Sequence, residues 1–155
     1  MKTFYYIAYG SNLNLRQMSY RCQDSRLIAT GILKNYELLF RGQNGNCYCT
    51  IEPHKGMYVP IGIFEVSERD RYCLDRYEGY PTHYKRVNIK PTEVELFTCE
   101  RMQKPMFVYV MNKNIGQLGY PSWQYWNVVR QGYYDCGLDE CYLQQALYNS
   151  VNPQG

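Results

Sequence analysis

Charge of one sign is almost absent as an excess: 17 Lys+Arg against 14 Asp+Glu leave a formal net charge of +3 over 155 residues. No dense Lys/Arg run exists, so the chain lacks the electrostatic footprint of a nucleic-acid or anionic-membrane binder. Long apolar runs are missing as well: nothing approaches the ~20 residues of a spanning helix. The opening Met1-Lys2-Thr3-Phe4-Tyr5-Tyr6-Ile7-Ala8 has only a short apolar run and no small-residue cleavage site, so no export signal is expected. The seven cysteines, Cys22, Cys47, Cys49, Cys73, Cys99, Cys136 and Cys141, are odd in number and form no C-x-x-C. Reduced thiols in a cytoplasmic chain are therefore expected rather than a disulfide framework. With no repeat, low-complexity tract or linker, a single domain over residues 1–155 is expected.

What is present is an apolar fraction of 45% against 20% charged, which excludes a disordered chain. A chain of this length buries roughly 68–70% of its unfolded surface and needs neither metal nor disulfide to hold a core. The oddity is 18 tyrosines beside 5 phenylalanines and 2 tryptophans. Tyrosine brings buried area plus a hydroxyl that wants a partner, which suits a core edge or a polar pocket wall.

Strands are expected at Thr3–Ala8, Leu27–Leu33, Tyr36–Arg41, Cys47–Glu52, Val59–Val66, Tyr84–Ile89, Glu93–Phe97 and Met106–Met111. Gly42–Asn46 reads as a hairpin loop. A short helix around Leu15–Tyr20 takes Asn12 or Asn14 as cap. Ser67-Glu68-Arg69-Asp70 fits a capping box opening a helix that Gly79 stops after Glu78. Ser122 caps a helix carrying Trp123, Trp126 and Val129, and Leu138–Asn149 closes the chain with Leu138, Cys141 or Tyr142, and Leu147 on one face. Many strands with few βαβ alternations predict α+β, a barrel-like or rolled, antiparallel-rich sheet with peripheral helices.

Two segments carry chemistry. In Tyr9-Gly10-Ser11-Asn12-Leu13 a strand runs through Gly-Ser-Asn into a helix. Glycine permits a tight turn at positive φ, and the following N–H groups then point outward together as a nest for a phosphate or carboxylate. The alternative is a capped strand–helix turn with no ligand. Ser11 as a nucleophile lacks the G-x-S-x-G elbow, and only His54 and His83 could serve it as base. In the second segment, Leu74–Tyr84, Glu78 ends its helix and faces the negative end of the dipole. Tyr77, Tyr80 and Tyr84 around it could desolvate it; both effects push its pKa up toward a value suited to taking and returning a proton. The alternative is a solvated glutamate in a turn. Asp75 reads as a surface or ion-paired residue, with Arg71 or Arg76 as partner, and His83 as a turn residue that could reach a substrate.

Together these segments resemble the γ-glutamylcyclotransferase family, including the AIG2-like proteins. The resemblance rests on Tyr6–Leu13, on Gly31–Phe40 with Tyr36, on Gly62–Val66, on Leu74-Asp75-Arg76-Tyr77-Glu78-Gly79 with Tyr84, and on Tyr120-Pro121-Ser122 with Tyr125. It implies a mixed sheet closed into a small barrel with helices at its rim. It implies a lyase- or acyltransferase-class enzyme that cyclises a γ-glutamyl group to 5-oxoproline and releases an amine or amino acid. The amides of Tyr9, Gly10, Ser11, Asn12 and Leu13 would hold the substrate's α-carboxylate, Glu78 would be general base and acid, and Tyr84 and Tyr125 would line the pocket. No cofactor is implied, and the expected partner is a small γ-glutamyl substrate, not nucleic acid or membrane, bound by a monomer or homodimer. A five-membered ring closure carries its own nucleophile, so positioning and one proton shuttle are the minimum equipment.

Three other readings stand beside it. A non-enzymatic binder of small γ-glutamyl or carboxylate ligands would use the same pocket without needing Glu78. A metal site is weakly supported, since Cys47 and Cys49 share a strand face with no second close pair. A partner-binding domain rests on the tyrosine-rich surface alone.

Overall fold

The computed structural model describes residues 1–97 and 102–153, so Cys99 lies outside the described residues. The opening apolar run forms β1 (Thr3–Ala8), followed by a 3₁₀ turn at Ser11–Leu13 and α1 (Leu15–Arg21). Of the two candidate caps it is Asn14 that works: its Oδ1 accepts the Gln17 N–H at 3.1 Å.

The four strands expected between Leu27 and Val66 are two, β2 (Arg26–Gln43) and β3 (Asn46–Ser67), paired antiparallel as one long hairpin. The ladder shifts register between Lys34 and Tyr36, where Asn35 takes φ 64 and its Oδ1 accepts the Gly56 N–H at 3.0 Å. Residues that look like strand ends are therefore a bulge that bends the hairpin without ending it. The Asn44-Gly45 tip turns through positive φ at Gly42 and Gly45, as its turn-forming composition requires.

From β3 the chain enters α2 (Glu68–Glu78). The capping box is formed in full: Ser67 Oγ accepts the Asp70 N–H and Asp70 Oδ2 accepts the Ser67 N–H, each at 3.1 Å. Gly79 ends the helix at φ 65 in the left-handed region, packed under His83. Next come β4 (Tyr84–Ile89), a 3₁₀ turn at Pro91–Glu93, β5 (Val94–Leu96), β6 (Met106–Met111) and the unexpected two-residue β7 (Gln117–Leu118). Two helices follow, α3 (Trp123–Asp135), capped by Ser122, and α4 (Cys141–Val151). α4 starts later than expected and buries Leu143, Ala146 and Ser150, with Cys141 and Tyr142 exposed. The cause is the interior of the hairpin: Ser150 Oγ receives the Phe40 N–H of β2 at 2.9 Å, which fixes the helix rotation.

The seven-stranded sheet runs β4-β6-β1-β3-β2-β5, with β7 also on β2. Only the β1–β6 pairing is parallel, so the sheet is mixed. It is rolled and not closed. The end of β6 reaches back to the first half of β3, where the Met111 N–H donates to Thr50 Oγ1 at 3.0 Å, and Tyr84 OH donates to Cys49 O at 2.8 Å. Side chains bridge this seam where a barrel would need a ladder. The core packs Tyr6 against Phe64, Phe107 and Tyr109, with ring centroids 5.5–6.3 Å apart.

Candidate active site

Beyond β1 the chain turns sharply, but not as expected. Gly10 has φ −126, so no left-handed conformation is involved. What requires glycine is space: a Cβ there would lie 3.1 Å from Cys49 Cβ and 3.3 Å from Tyr125 OH. α3 holds the turn from the other side. Gly132 lies against the backbone of Leu13 and Asn14, and Cys136 Sγ donates to Leu13 O at 3.3 Å.

Within the turn the Leu13 N–H donates to Gly10 O and the Asn14 N–H to Ser11 O, each at 3.0 Å. The Ser11 and Asn12 N–H groups have no protein acceptor among the described residues, as the start of a helical turn leaves them. The expected five-residue nest thus narrows. Tyr9, Gly10, Ser11 and Asn12 line a cavity of about 610 Å³, whereas Leu13 spends its N–H internally and its side chain is core. The side chains of the turn are tied down in turn. Arg21 Nη1 donates to Asn12 Oδ1 at 2.6 Å, Asn12 Nδ2 donates to Tyr6 OH at 3.0 Å, and Ser11 Oγ lies 3.0 Å from Tyr77 OH.

The same cavity is also lined by the C-terminal turn of α2, carrying Arg76, Tyr77, Glu78 and Gly79, and by His83. Glu78 is half-buried, and its carboxylate is near enough to Tyr6, Tyr9 and Tyr84 to raise their phenols. Burial pushes its pKa up to about 7, opposed by the positive charge of Arg21. Arg21 is placed there by stacking on Tyr77, 3.5 Å from the ring centroid. Sequence reasoning did not find Arg21, whose link to Glu78 exists only because α1 lies beside α2.

Seven of the 18 tyrosines line the cavity, as the composition suggested: Tyr6, Tyr9, Tyr48, Tyr77, Tyr84, Tyr109 and Tyr125. Burial raises the phenols of Tyr6, Tyr9, Tyr84 and Tyr125 well above the usual tyrosine value, so they act as neutral hydrogen-bonding groups. Tyr9 OH donates to Tyr109 O at 2.6 Å, and Tyr125 OH accepts the Cys49 N–H at 3.0 Å. Both expected pocket tyrosines, Tyr84 and Tyr125, thus clamp the two backbone faces of Cys49. The Cys49 thiol itself is buried and pushed up to about 12, which leaves it unreactive.

Asp75 pairs with neither Arg71 nor Arg76. It accepts from Tyr109 OH at 2.5 Å and lies 3.3 Å from Arg86 Nε. The intrahelical spacing suggested the wrong partners because Asp75 faces the sheet, where β4 and β6 supply them. No cluster of three or more His, Cys, Asp or Glu with metal-binding geometry occurs among the described residues, and no described helix is long and apolar enough to cross a membrane.

The class of protein this defines is a mixed α+β fold whose rolled, open sheet carries one cavity lined by both the Tyr9–Asn12 turn and Glu78. The particular family follows from comparison with known proteins. Residues 6–134 match the family described as gamma-glutamyl cyclotransferase, AIG2-like, and the chain belongs to that family. Among solved structures it is similar to a protein titled gamma-glutamyl cyclotransferase, at 22% identity and TM-score 0.75, covering 99% of this chain and 90% of that one. It is also similar to the uncharacterized protein loc79017 from Homo sapiens, at 21% identity and TM-score 0.81, covering 100% and 92%. A third is YkqA from Bacillus subtilis, at 17% identity and TM-score 0.77, covering 97% of this chain and 56% of that one. These likenesses establish the fold. No curated protein matches the chain.

Proposed function

We propose that the protein is a γ-glutamylcyclotransferase-type enzyme that converts a γ-glutamyl amide to 5-oxoproline and a free amine. The observation that carries this reading is that Glu78, poised at about 7, faces the same cavity as the unpartnered Ser11 and Asn12 N–H groups. Those amides suit the substrate's α-carboxylate, with the neighbouring Arg21 adding positive charge. The curled substrate then presents its neutral α-amine to its own γ-carbonyl. The new C–N bond forms, the attacking nitrogen gives a proton to the Glu78 carboxylate, and the resulting carboxyl delivers that proton to the departing nitrogen as the original amide C–N bond breaks. Atoms balance without water, and one group serves as base and then acid because near neutral pH it populates both forms. Ring closure supplies the high effective molarity.

The six described cysteines are unpaired thiols, which fits a reducing, cytoplasmic setting for this chemistry. The test is incubation with γ-glutamyl amino acids and γ-glutamyl amines, reading 5-oxoproline by mass spectrometry. Glu78→Gln abolishes turnover while retaining much of the ligand binding. A non-enzymatic binder would instead give no 5-oxoproline with wild type, and full activity in Glu78→Gln would refute the mechanism.

A further inference from the structure

A second cavity, of about 310 Å³, shares no lining residue with the first. It opens where the starts of β1 and β6 run side by side next to β4, and the first half of α2 sends Arg71 into it. Arg71 stands about 10 Å along the helix from Glu78. Three cations line this cavity, Arg71, Arg86 and Lys104, and no Asp or Glu does so among the described residues.

Aromatic rings, not carboxylates, hold these cations in place. Arg71 lies 3.9 Å from the Phe4 ring centroid, Arg86 4.3 Å from that of Tyr80 and Lys104 6.0 Å from that of Tyr5. A ring fixes a cation through its quadrupole but leaves the charge and the N–H donors available to an anion. Neither Arg71 nor Lys104 forms an ion pair with a described residue. Arg86 is only half engaged. Its Nε is buried without a hydrogen bond, and Asp75 Oδ1, 3.3 Å away, already accepts Tyr109 OH at 2.5 Å. Counting Asp75 against the three cations leaves two positive charges uncompensated.

A phosphate monoester carries roughly −1.5 to −2 at pH 7 and offers three acceptor oxygens, so it matches that excess better than a single carboxylate does. Asn88 lies two residues along β4 from Arg86, on the same face, and adds a neutral donor. Phe4, Phe107 and Met106 complete the lining with apolar surface for the body of a ligand. The volume suits a small molecule.

We propose that this second cavity binds a small phosphate monoester with an apolar body, its phosphate held by Arg71, Arg86 and Lys104. The site is separate from the glutamyl site and stands whether or not the chain turns over γ-glutamyl amides.

The test titrates phenyl phosphate, benzoate and a hexaglutamate peptide into the protein at constant ionic strength and follows backbone amide NMR shifts. Phenyl phosphate gives saturable shifts centred on Arg71, Arg86 and Asn88, with an affinity about tenfold above that of benzoate. Arg71→Gln and Lys104→Gln each weaken it about fivefold. Lys104 is exposed, so Lys104→Gln keeps the test decisive even if Arg71→Gln, which loses its stack on Phe4, folds poorly. Shifts confined to Ser11 and Asn12 place the anion in the first cavity and overturn the assignment. Benzoate binding as tightly as phenyl phosphate overturns it too, as does unchanged affinity in Lys104→Gln. Hexaglutamate binding as tightly as phenyl phosphate makes the site a surface for acidic peptides instead and likewise overturns it. None of these outcomes bears on formation of 5-oxoproline, so the two readings fail separately.

Discussion

Replacing Glu78 by Gln tests the buried carboxyl through stability, independently of any substrate. Glu78 ionises at about 7 in the folded protein against an ordinary value of 4.5. An acid whose native pKa is raised binds its proton more tightly when folded, so ionisation penalises the native state. The penalty is absent below pH about 4.5, grows between about 4.5 and 7, and is complete above about 7. At 1.36 kcal/mol per pKa unit the full shift is worth about 3 kcal/mol, and partial exposure of the residue brings the expected value nearer about 2 kcal/mol. Glutamine has nearly the same shape and no charge. Glu78→Gln therefore raises the melting temperature at pH 8 by about 4–8 °C for a chain of this size and leaves it nearly unchanged at pH 4.5. Thermal unfolding followed by circular dichroism at the two pH values reads this directly. An equal shift at both, or a variant less stable than wild type at pH 8, would refute the claim that Glu78 is held in a desolvating site.

Other outcomes follow from neighbouring contacts. Arg21→Met removes the charge that opposes desolvation, so the limb of the pH–rate profile governed by Glu78, near pH 7 in wild type, moves to higher pH. Gly132→Ala forces a Cβ to within 2.6 Å of Asn14 N and 2.7 Å of Leu13 C; chemical denaturation should register a loss of about 2–3 kcal/mol, with turnover falling as the turn is displaced. Gly10→Ala meets Cys49 Cβ and Tyr125 OH at 3.1 and 3.3 Å; a loss of about 1 kcal/mol and a raised KM are expected in steady-state assays. Ser67→Ala deletes the α2 cap far from the chemistry, lowering stability by about 1 kcal/mol in a urea titration with kcat retained.

Several features were legible along the chain because they depend on residues a few positions apart. The Ser67–Asp70 box, the Gly79 stop, the Asn14 and Ser122 caps and the Gly10-Ser11-Asn12 turn are local hydrogen-bonding patterns, and they appear where the sequence places them. Glu78 at a helix end among tyrosines was likewise readable, as was the tyrosine-rich pocket wall. The single strands split at Asn35 and Pro53 were misjudged because a bulge and a break have the same local composition; only the partner strand across the ladder decides between them.

The sequence by itself determined most element types, both boundaries of α2, the start of α3 and the family motifs, since each is set by short-range propensity and capping chemistry. Tertiary structure alone decided that Arg21 faces Glu78, that Asp75 pairs with Arg86, that Leu13 is core and that the sheet rolls without closing. Those facts depend on which distant segments pack together, and burial and Coulomb interaction act through space with no signature in the order of residues.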